Sequence, residues 1–270
     1  MPTFKTPFRP EEHGFPWPNS FDGDDIVASW FDQDLICPRS ASDILGLVYG
    51  GTKQLTSAMM DITTDEVLEE LAGLVDSAGM SGGMSLMALD RYYRTLDPWK
   101  RKPGRRSQRF ADLTRHQFQI FGRWARLGEV ILDMHRPDVT HPWDQARSLG
   151  VVSISDSWPR IVHRLSAGSP VPLILIRSRW NPFANDVVVA YGYRDTGDST
   201  GRLDIYDPNH PGVGTHMTIE FARENHFRLE PRSAYGVAER KVRGFKRVRI
   251  GTPAQEEPID RELPAILAAT

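Results

Sequence analysis

Ser81 is the first residue that could do chemistry, because it stands at a glycine turn that leads directly into an apolar segment. Residues 79–83 read GMSGG, and apolar residues follow on two adjoining helical faces up to Tyr93. A stripe that wide predicts a buried, central helix. Unpaired N–H groups and the helix dipole at such a start stabilise an anion or a thiolate. Ser is equally a favoured N-cap, with Gly82 and Gly83 allowing a close turn, so a purely structural role is the alternative.

Four polar residues in the last third of the chain form a second group: Asp186, Asp207, Asn209 and His210. Carboxylates and an imidazole on neighbouring strands are metal ligands by type, so Asp186, Asp207 and His210 offer a possible oxygen-rich metal site. Their spacing matches no metal-binding motif, however, and we expect neither a metal nor a cofactor.

Helical periodicity dominates the first part of the chain, from about residue 26 to residue 168. Before it, residues 1–25 are rich in Pro and aromatic side chains, which predicts an extended, non-helical segment. Besides the central helix, the predicted helices lie near Ser42 to Tyr49, from Thr63 to Val75, from Ser107 to Met134 and from Asp156 to Ala167.

After Gly168-Ser169-Pro170 the period changes to that of strands. Short β-branched or aromatic runs separated by turn residues predict an antiparallel sheet built from hairpins. These runs are Val171 to Arg177, Asp186 to Arg194, Gly201 to Asp207, Thr215 to Phe221 and Val242 to Ile250, with a turn at Asp195 to Gly201. Helices followed by strands indicate an α+β domain. We expect one domain over residues 1–250, with a sheet part at about 171–250, and a C-terminal tail at 251–270.

Composition is that of an ordinary soluble globular protein. The 270 residues are 40% hydrophobic and 25% charged, with a formal net charge of −2, which gives no reason to expect a nucleic acid or a membrane as partner. The basic run at 101–109 is interpreted as a solvated loop. Cys37 is the single cysteine, and no signal-like or membrane-spanning apolar run is seen, so we expect a cytoplasmic protein. Export without a cleaved signal would leave the same pattern.

Three segments, in this order, resemble a bacterial group of papain-like, C39-peptidase-like domains: GMSGGM at 79–84, NDVVVAYGY at 185–193 and IYDPNHP at 205–211. In that group the segments usually run G-x-C-G-G-M, N-H-Q-V-[VL]-A-Y-G-Y and [IV]-Y-D-P-N-[HY]-P. The resemblance covers most of the chain, and the ordered combination is more specific than any one segment. It implies a papain-like fold, in which the central helix packs on the C-terminal antiparallel sheet.

The resemblance also implies a catalytic site whose two working residues are replaced. A papain-like site needs a Cys at the start of the central helix, a His on a facing strand and an Asn or Asp that orients the His. Residue by residue, Ser81 stands at the Cys position and Asp186 at the His position. Asp207, or as a second choice Asn209, stands where the orienting residue belongs, with no imidazole left to orient. Residues 74–80 also lack the Gln that often supplies an oxyanion donor.

These replacements predict an inactive site. A hydroxyl is a far weaker nucleophile than a thiolate unless a base removes its proton, and a carboxylate with a reference pKa of about 3.9 lies roughly three units below neutral. At roughly 1.4 kcal/mol per unit, that mismatch is about 4 kcal/mol. Burial can raise the pKa of a carboxylate by several units, which keeps an enzymatic use of the same groups open.

We therefore expect a catalytically inactive papain-like domain that acts as a binding or scaffolding module. Its former active-site cleft would hold an unknown peptide, protein or small molecule, and the residues expected to line it are Ser81, Gly82, Gly83, Asp186, Asp207 and Asn209. Two alternatives stay open. One is a repurposed hydrolase, acyl-transfer or tailoring enzyme that uses Ser81, Asp186 and Asp207, and the other is an effector or toxin component that binds another protein.

Overall fold

Helices fill most of the first part of the chain and strands the last part. The computed structural model describes residues 3–36, 45–46, 64–76, 79–121, 124–139, 147–197, 200–212, 214–221, 227–233, 236–237 and 240–248. The helices are α1 (Pro10–His13), α2 (Gly23–Asp32), α3 (Thr64–Asp76), α4 (Ser81–Tyr93), α5 (Gln108–Phe121), α6 (Trp124–Met134), α7 (Leu149–Val152) and α8 (Trp158–Ser166). The strands are β1 (Thr3–Lys5), β2 (Val171–Ile176), β3 (Asp186–Gly197), β4 (Thr200–Tyr206), β5 (Thr215–Glu220), β6 (Phe227–Ser233), β7 (Gly236–Val237), β8 (Arg240–Val242) and β9 (Gly244–Arg247). The predicted α+β class is confirmed.

The strands form one antiparallel sheet in the order β7-β6-β5-β4-β3-β2-β9. Strand β1 pairs with the far end of β3, where Phe4 lies opposite Tyr193. The segment 240–247 pairs with β6 through its first residues and with β2 through its last. Because one short segment joins both ends of the order, the sheet curls round on itself.

The sheet separates two hydrophobic clusters, because successive side chains of a strand point to opposite faces. On β3, Val188 and Ala190 point into the cluster enclosed by the curled sheet and α8, which also contains Phe245. Val187 and Val189 point to the other face and join the cluster with the helices. Helix α4 lies in that second cluster and is buried along residues 81–89, which confirms the predicted central helix.

Several predicted helices differ from the structure. The N-terminal 25 residues are not free of helix, because Pro10 begins the single turn α1 and α2 begins at Gly23. Proline suits a first helical position, since its missing N–H would be unpaired there anyway. The predicted helix over 107–134 is described as α5 and α6, and residues 122–123 between them lie outside the described residues. The predicted helix near Ser42 to Tyr49 lies outside the described residues except for 45–46, and the predicted tail at 251–270 lies outside them entirely.

The helix predicted to start at Asp156 begins seven residues earlier, at Leu149. Between α7 and α8 the chain makes a π-helical turn at Ser153–Ser157. Pro159 follows that turn, and a proline ring crowds the carbonyl group four residues earlier, which here belongs to Ser155. A wider turn relieves this clash and lets the helix continue.

The sheet has more strands than the sequence patterns predicted. Strands β1, β6, β7 and β8 were not predicted, and β3 and β4 extend into the predicted turn at Asp195 to Gly201. Strand β6 was missed because its sequence, FRLEPRS, has a proline and three charged residues, so it lacks the apolar alternation of a half-buried strand.

We predict opposite effects for alanine at two helical glycines. A Cβ on Gly83 would lie 2.3 Å from the carbonyl oxygen of Leu113 on α5, whereas a Cβ on Gly128 in α6 would have no atom within 4 Å. Gly83→Ala should therefore lower the free energy of unfolding by about 1–3 kcal/mol through overpacking. Gly128→Ala should raise it by about 0.5–1 kcal/mol through helix propensity. Urea denaturation of both variants would measure this, and equal effects would contradict the close helix packing.

Candidate functional site

Ser81 is the first residue of α4 and is only 2% exposed. The prediction that it is the N-cap is wrong, because the N-cap position belongs to Met80, whose side chain makes no cap. Instead, the N–H group of Met80 donates to Oδ1 of Asn19 at 2.5 Å. The Ser81 hydroxyl accepts a hydrogen bond from the N–H group of Val187 on β3, at 3.1 Å.

Two serines of α4 hold both backbone groups of Val187. Ser85, one helical turn after Ser81, donates its hydroxyl hydrogen to the carbonyl oxygen of Val187 at 2.8 Å. Strand β4 pairs with β3 only from Val189 onward, opposite Tyr206. An unpaired buried backbone group is costly. Where β4 no longer pairs with β3, the two hydroxyls therefore bind the N–H and C=O groups that a neighbouring strand would otherwise bind. This gives Ser81 a structural function that needs a hydroxyl but no base.

Gly82 and Gly83, expected in the cleft, pack against α5. A Cβ on Gly82 would lie 1.8 Å from Cδ1 of Ile120, so a larger residue there would have to displace that side chain. The N–H group of Gly83 donates to Oε1 of Gln117 at 2.6 Å. Together with the bond from Met80 to Asn19, this means that neutral amide oxygens bind N–H groups that could otherwise stabilise an anion.

Asp186 opens β3 and is 7% exposed. Its Oδ2 accepts from a guanidinium N–H of Arg177, with which it forms an ion pair. Its Oδ1 accepts from Nδ2 of Asn209 at 3.0 Å. Both carboxylate oxygens therefore have donors, and the bond that joins Ser81 to this end of β3 goes to the residue after Asp186.

The DPNH turn after β4 contains both candidates for the third site residue. Asp207 is completely buried, and its Oδ1 accepts from the N–H group of Asn209 at 2.9 Å. Its Oδ2 lies 2.9 Å from Nδ1 of His210. The sequence favoured Asp207 over Asn209 as the partner of position 186, but it is Asn209 whose side-chain amide donates to Asp186. Asp207 was also expected to have no imidazole to orient, and the structure provides one in His210.

The N-terminal segment crosses the space between α4 and the end of β4. The N–H group of Asn19 donates to the carbonyl oxygen of Pro208, and its Nδ2 donates to Oδ1 of Asn209, both at 3.0 Å. Upstream, the N–H group of Phe15 donates to the hydroxyl of Tyr206 at 3.1 Å. Burial raises the pKa of Tyr206, so this hydroxyl stays neutral. The side chain of Asn19 thus bridges the start of α4 and the DPNH turn.

Three residues of this network were not predicted from the sequence: Asn19, Gln117 and Arg177. Arg177 had a usable signal, because it ends one predicted strand while Asp186 begins the next, and an antiparallel hairpin brings those two positions together. Asn19 and Gln117 lie in no motif, and their contacts depend on how the N-terminal segment and α5 pack.

Two other site types can be assessed within the described residues. No group of three or more His, Cys, Asp or Glu side chains there has an arrangement that could hold a metal ion. The possible ligands Asp186, Asp207 and His210 instead bind protein donors or one another. In the same part of the chain, no helix is both long enough and apolar enough to cross a membrane.

We predict that Asp186 and Arg177 are strongly coupled energetically. In a double-mutant cycle with alanine at both positions, the coupling free energy should be about 1–3 kcal/mol, because the carboxylate is largely buried. The pair Arg147 and Asp156 is a matched control, since both of its side chains are about half exposed. Its coupling should be below about 1 kcal/mol. Urea denaturation of the wild type, the four single mutants and the two double mutants would measure both values.

Comparisons with known proteins give no further assignment. No protein-family model, no curated protein and no solved structure matches this chain. The papain-like resemblance of the three sequence segments therefore stays a prediction, and the geometry of the site carries the functional argument.

Proposed function

We propose that this chain is a catalytically inactive papain-like domain that works as a binding or scaffolding module. The observation that supports this proposal best is that Asp186 is buried and bound by other side chains of the protein. Where a papain-like site needs an imidazole, this position has a buried carboxylate bound by Arg177 and Asn209. A carboxylate held by a guanidinium is stabilised in its charged form and is a poor acceptor for a serine proton.

The Ser81 hydroxyl supports the same conclusion. A serine becomes a nucleophile when a base accepts its proton, as histidine does in a catalytic triad. Here the described hydrogen bond of Ser81 Oγ is the one that it accepts from the N–H group of Val187. The amides of Asn19 and Gln117 occupy N–H groups at the helix start, which weakens any oxyanion site there.

One observation favours the enzymatic alternative. His210 and buried Asp207 form an imidazole–carboxylate pair of the kind that orients a general base. Within the described residues, however, no hydrogen bond joins the His210 ring to Ser81, and its Nδ1 is used by Asp207. The effector alternative has no structural observation that bears on it.

The burial of the site also affects where a ligand of the former cleft would bind. Ser81 and Asp186 are almost inaccessible, whereas Arg177 and His210 are partly exposed at the rim. A ligand would therefore contact the rim formed by Arg177, Asn209 and His210 rather than the Ser81 hydroxyl.

We predict that the purified protein shows no turnover that depends on Ser81. Hydrolysis of a quenched fluorescent peptide library and of p-nitrophenyl esters should be the same for wild type, Ser81→Ala and His210→Ala. Labelling with a fluorophosphonate probe, which reacts with activated serines, should be no greater for wild type than for Ser81→Ala.

Ser85→Ala is the matched control, because it removes the other hydroxyl that α4 uses to bind Val187 and should cause a similar loss of stability. Turnover that is retained in Ser85→Ala but lost in Ser81→Ala would overturn the proposal. Turnover lost in both Ser81→Ala and His210→Ala would favour the enzymatic alternative with His210 as base.

A further inference from the structure

An exposed apolar patch lies at the end of α6, beside the loop of residues 177–185 that joins β2 to β3. Its members, together called the Trp180 patch, are Leu132, His135, Val139 and Trp180. Leu132 is 70% exposed, Val139 53% and Trp180 71%, and His135 is exposed as well. We propose that this patch docks a protein partner through a peptide segment that presents an apolar side chain next to a carboxylate.

The patch is continuous across α6 and the loop. The rings of Trp180 and His135 meet edge to face, with their centroids 5.7 Å apart. The N–H group of His135 donates to the carbonyl oxygen of Ile131, so the helical path continues to this residue. Leu132 lies three residues earlier on the helix, which places it on the same side as His135.

An ion pair joins the remaining member to Trp180. Arg179 and Asp138 lie 2.7 Å apart, and they directly precede Trp180 and Val139 in the sequence. Three of the five large apolar side chains that are exposed in the described part of the chain therefore share one surface. Single exposed apolar residues are normal, whereas a group of them indicates an interaction site.

The loop holds Trp180 in a fixed position. The N–H groups of Arg177 and Ser178 donate to Oδ1 of Asn185, and those of Trp180 and Asn181 donate to the hydroxyl of Ser178. The side-chain amide of Asn181 also donates to a carbonyl group of α3, at 3.0 Å. Because the backbone beside the exposed indole is already ordered, a partner binds without the entropic cost of ordering a loop. A large aromatic side chain in such a position suits an interface hot spot.

Arg179 provides a positive charge for the partner. One carboxylate, that of Asp138, accepts from Arg179 and from Arg243, both at 2.7 Å. Burial acts to raise the pKa of Asp138, but the hydrogen bonds and charges of the two arginines lower it below its usual value. The side chain of Arg243 is only 11% exposed and needs this carboxylate, whereas that of Arg179 is 42% exposed. Within the described residues Arg179 has no other ion pair, and a carboxylate of the partner would match its guanidinium group.

The same charges favour a protein over a second copy of the chain or a lipid surface. In a symmetric dimer the patch would meet itself, which would bring two surplus positive charges together. A membrane would have to remove water from Asp138, whose side chain is 45% exposed. Attraction to anionic lipids also depends on a cluster of cations, and the patch has one in surplus.

A random linear peptide library displayed on phage tests the partner chemistry. The library is first depleted on Trp180→Ala protein, which removes peptides that bind elsewhere, and is then selected on wild type. We expect enrichment of peptides that combine an aromatic or branched aliphatic residue with Asp or Glu. The most enriched peptide is synthesised with a fluorophore, and its dissociation constant is measured by fluorescence anisotropy. Trp180→Ala should weaken its binding at least about thirtyfold, as for a hot spot.

Two further variants test the location. Leu132→Ala, a residue that the depletion step does not use, should weaken binding at least about fivefold. Leu96→Ala is the matched control, because Leu96 is a leucine with 46% exposure outside the patch. It should bind as wild type does. Circular dichroism melting would show that each variant is folded.

A cycle between protein and peptide tests the charge. Arg179→Ala should weaken binding about tenfold, as the loss of one charge-assisted hydrogen bond implies. Replacing the acidic residue of the peptide with its amide should cost the same factor, and Arg179→Ala should then have no further effect. Arg101→Ala, an exposed arginine in the loop before α5, is the control and should bind as wild type does.

Several results would overturn the proposal. These are no enrichment after depletion, enriched peptides without an acidic residue, a loss in Leu96→Ala as large as in Leu132→Ala, and an Arg179 effect that persists with the amide peptide. Two other results would also overturn it by replacing the partner. One is a wild-type dimer in light scattering that Trp180→Ala dissociates, and the other is Trp180-dependent binding to phosphatidylcholine–phosphatidylglycerol vesicles. The patch shares no residue with the former cleft, so turnover at Ser81 is decided separately by the peptide and ester assays.

Discussion

The contact between the start of α4 and the start of β3 is the constraint on which the rest of the site depends. Strand β4 ends before it reaches Val187, so the backbone of that residue is completed by the hydroxyls of Ser81 and Ser85. For a helix to come that close to a strand edge while also packing on α5, it needs residues without side chains, and Gly82 and Gly83 supply them. The residue at position 81 is thereby part of the backbone hydrogen bonding of the sheet.

Charge compensation is the second theme of the site. Asp186 and Asp207 are buried carboxylates, and each accepts hydrogen bonds from donors of the chain itself. The side chains of Arg177 and Asn209 donate hydrogen bonds to Asp186. The backbone N–H group of Asn209 and the His210 ring contact the carboxylate of Asp207. Since a buried charge without partners is very costly, these donors offset the cost of burying the two carboxylates.

The sequence predicted the parts of the fold that are local in sequence. The buried helix after GMSGG and the hairpin strands starting at Val171 and Asp186 follow from periodicity and turn residues, and the structure contains them. It could not predict Asn19, whose two amide contacts join segments about 60 and 190 residues away. The sequence analysis also missed the π-turn before Pro159. The spacing of apolar residues does not show how the backbone of a helix changes to accommodate a proline. Asn209 was ranked below Asp207 because a motif gives spacing without side-chain direction.

The segment 240–247 joins both ends of the sheet, and this affects the order of folding. Its pairing with β2 links residues more than 70 positions apart, between Leu173 and Arg247. Contacts this distant in sequence form slowly, because closing a long loop costs conformational entropy. During synthesis from the N-terminus, the enclosed cluster stays open on one side until these last strands leave the ribosome. The nascent chain therefore has an exposed sheet edge at β2 while the residues between β2 and β9 are synthesised, and such an edge favours aggregation.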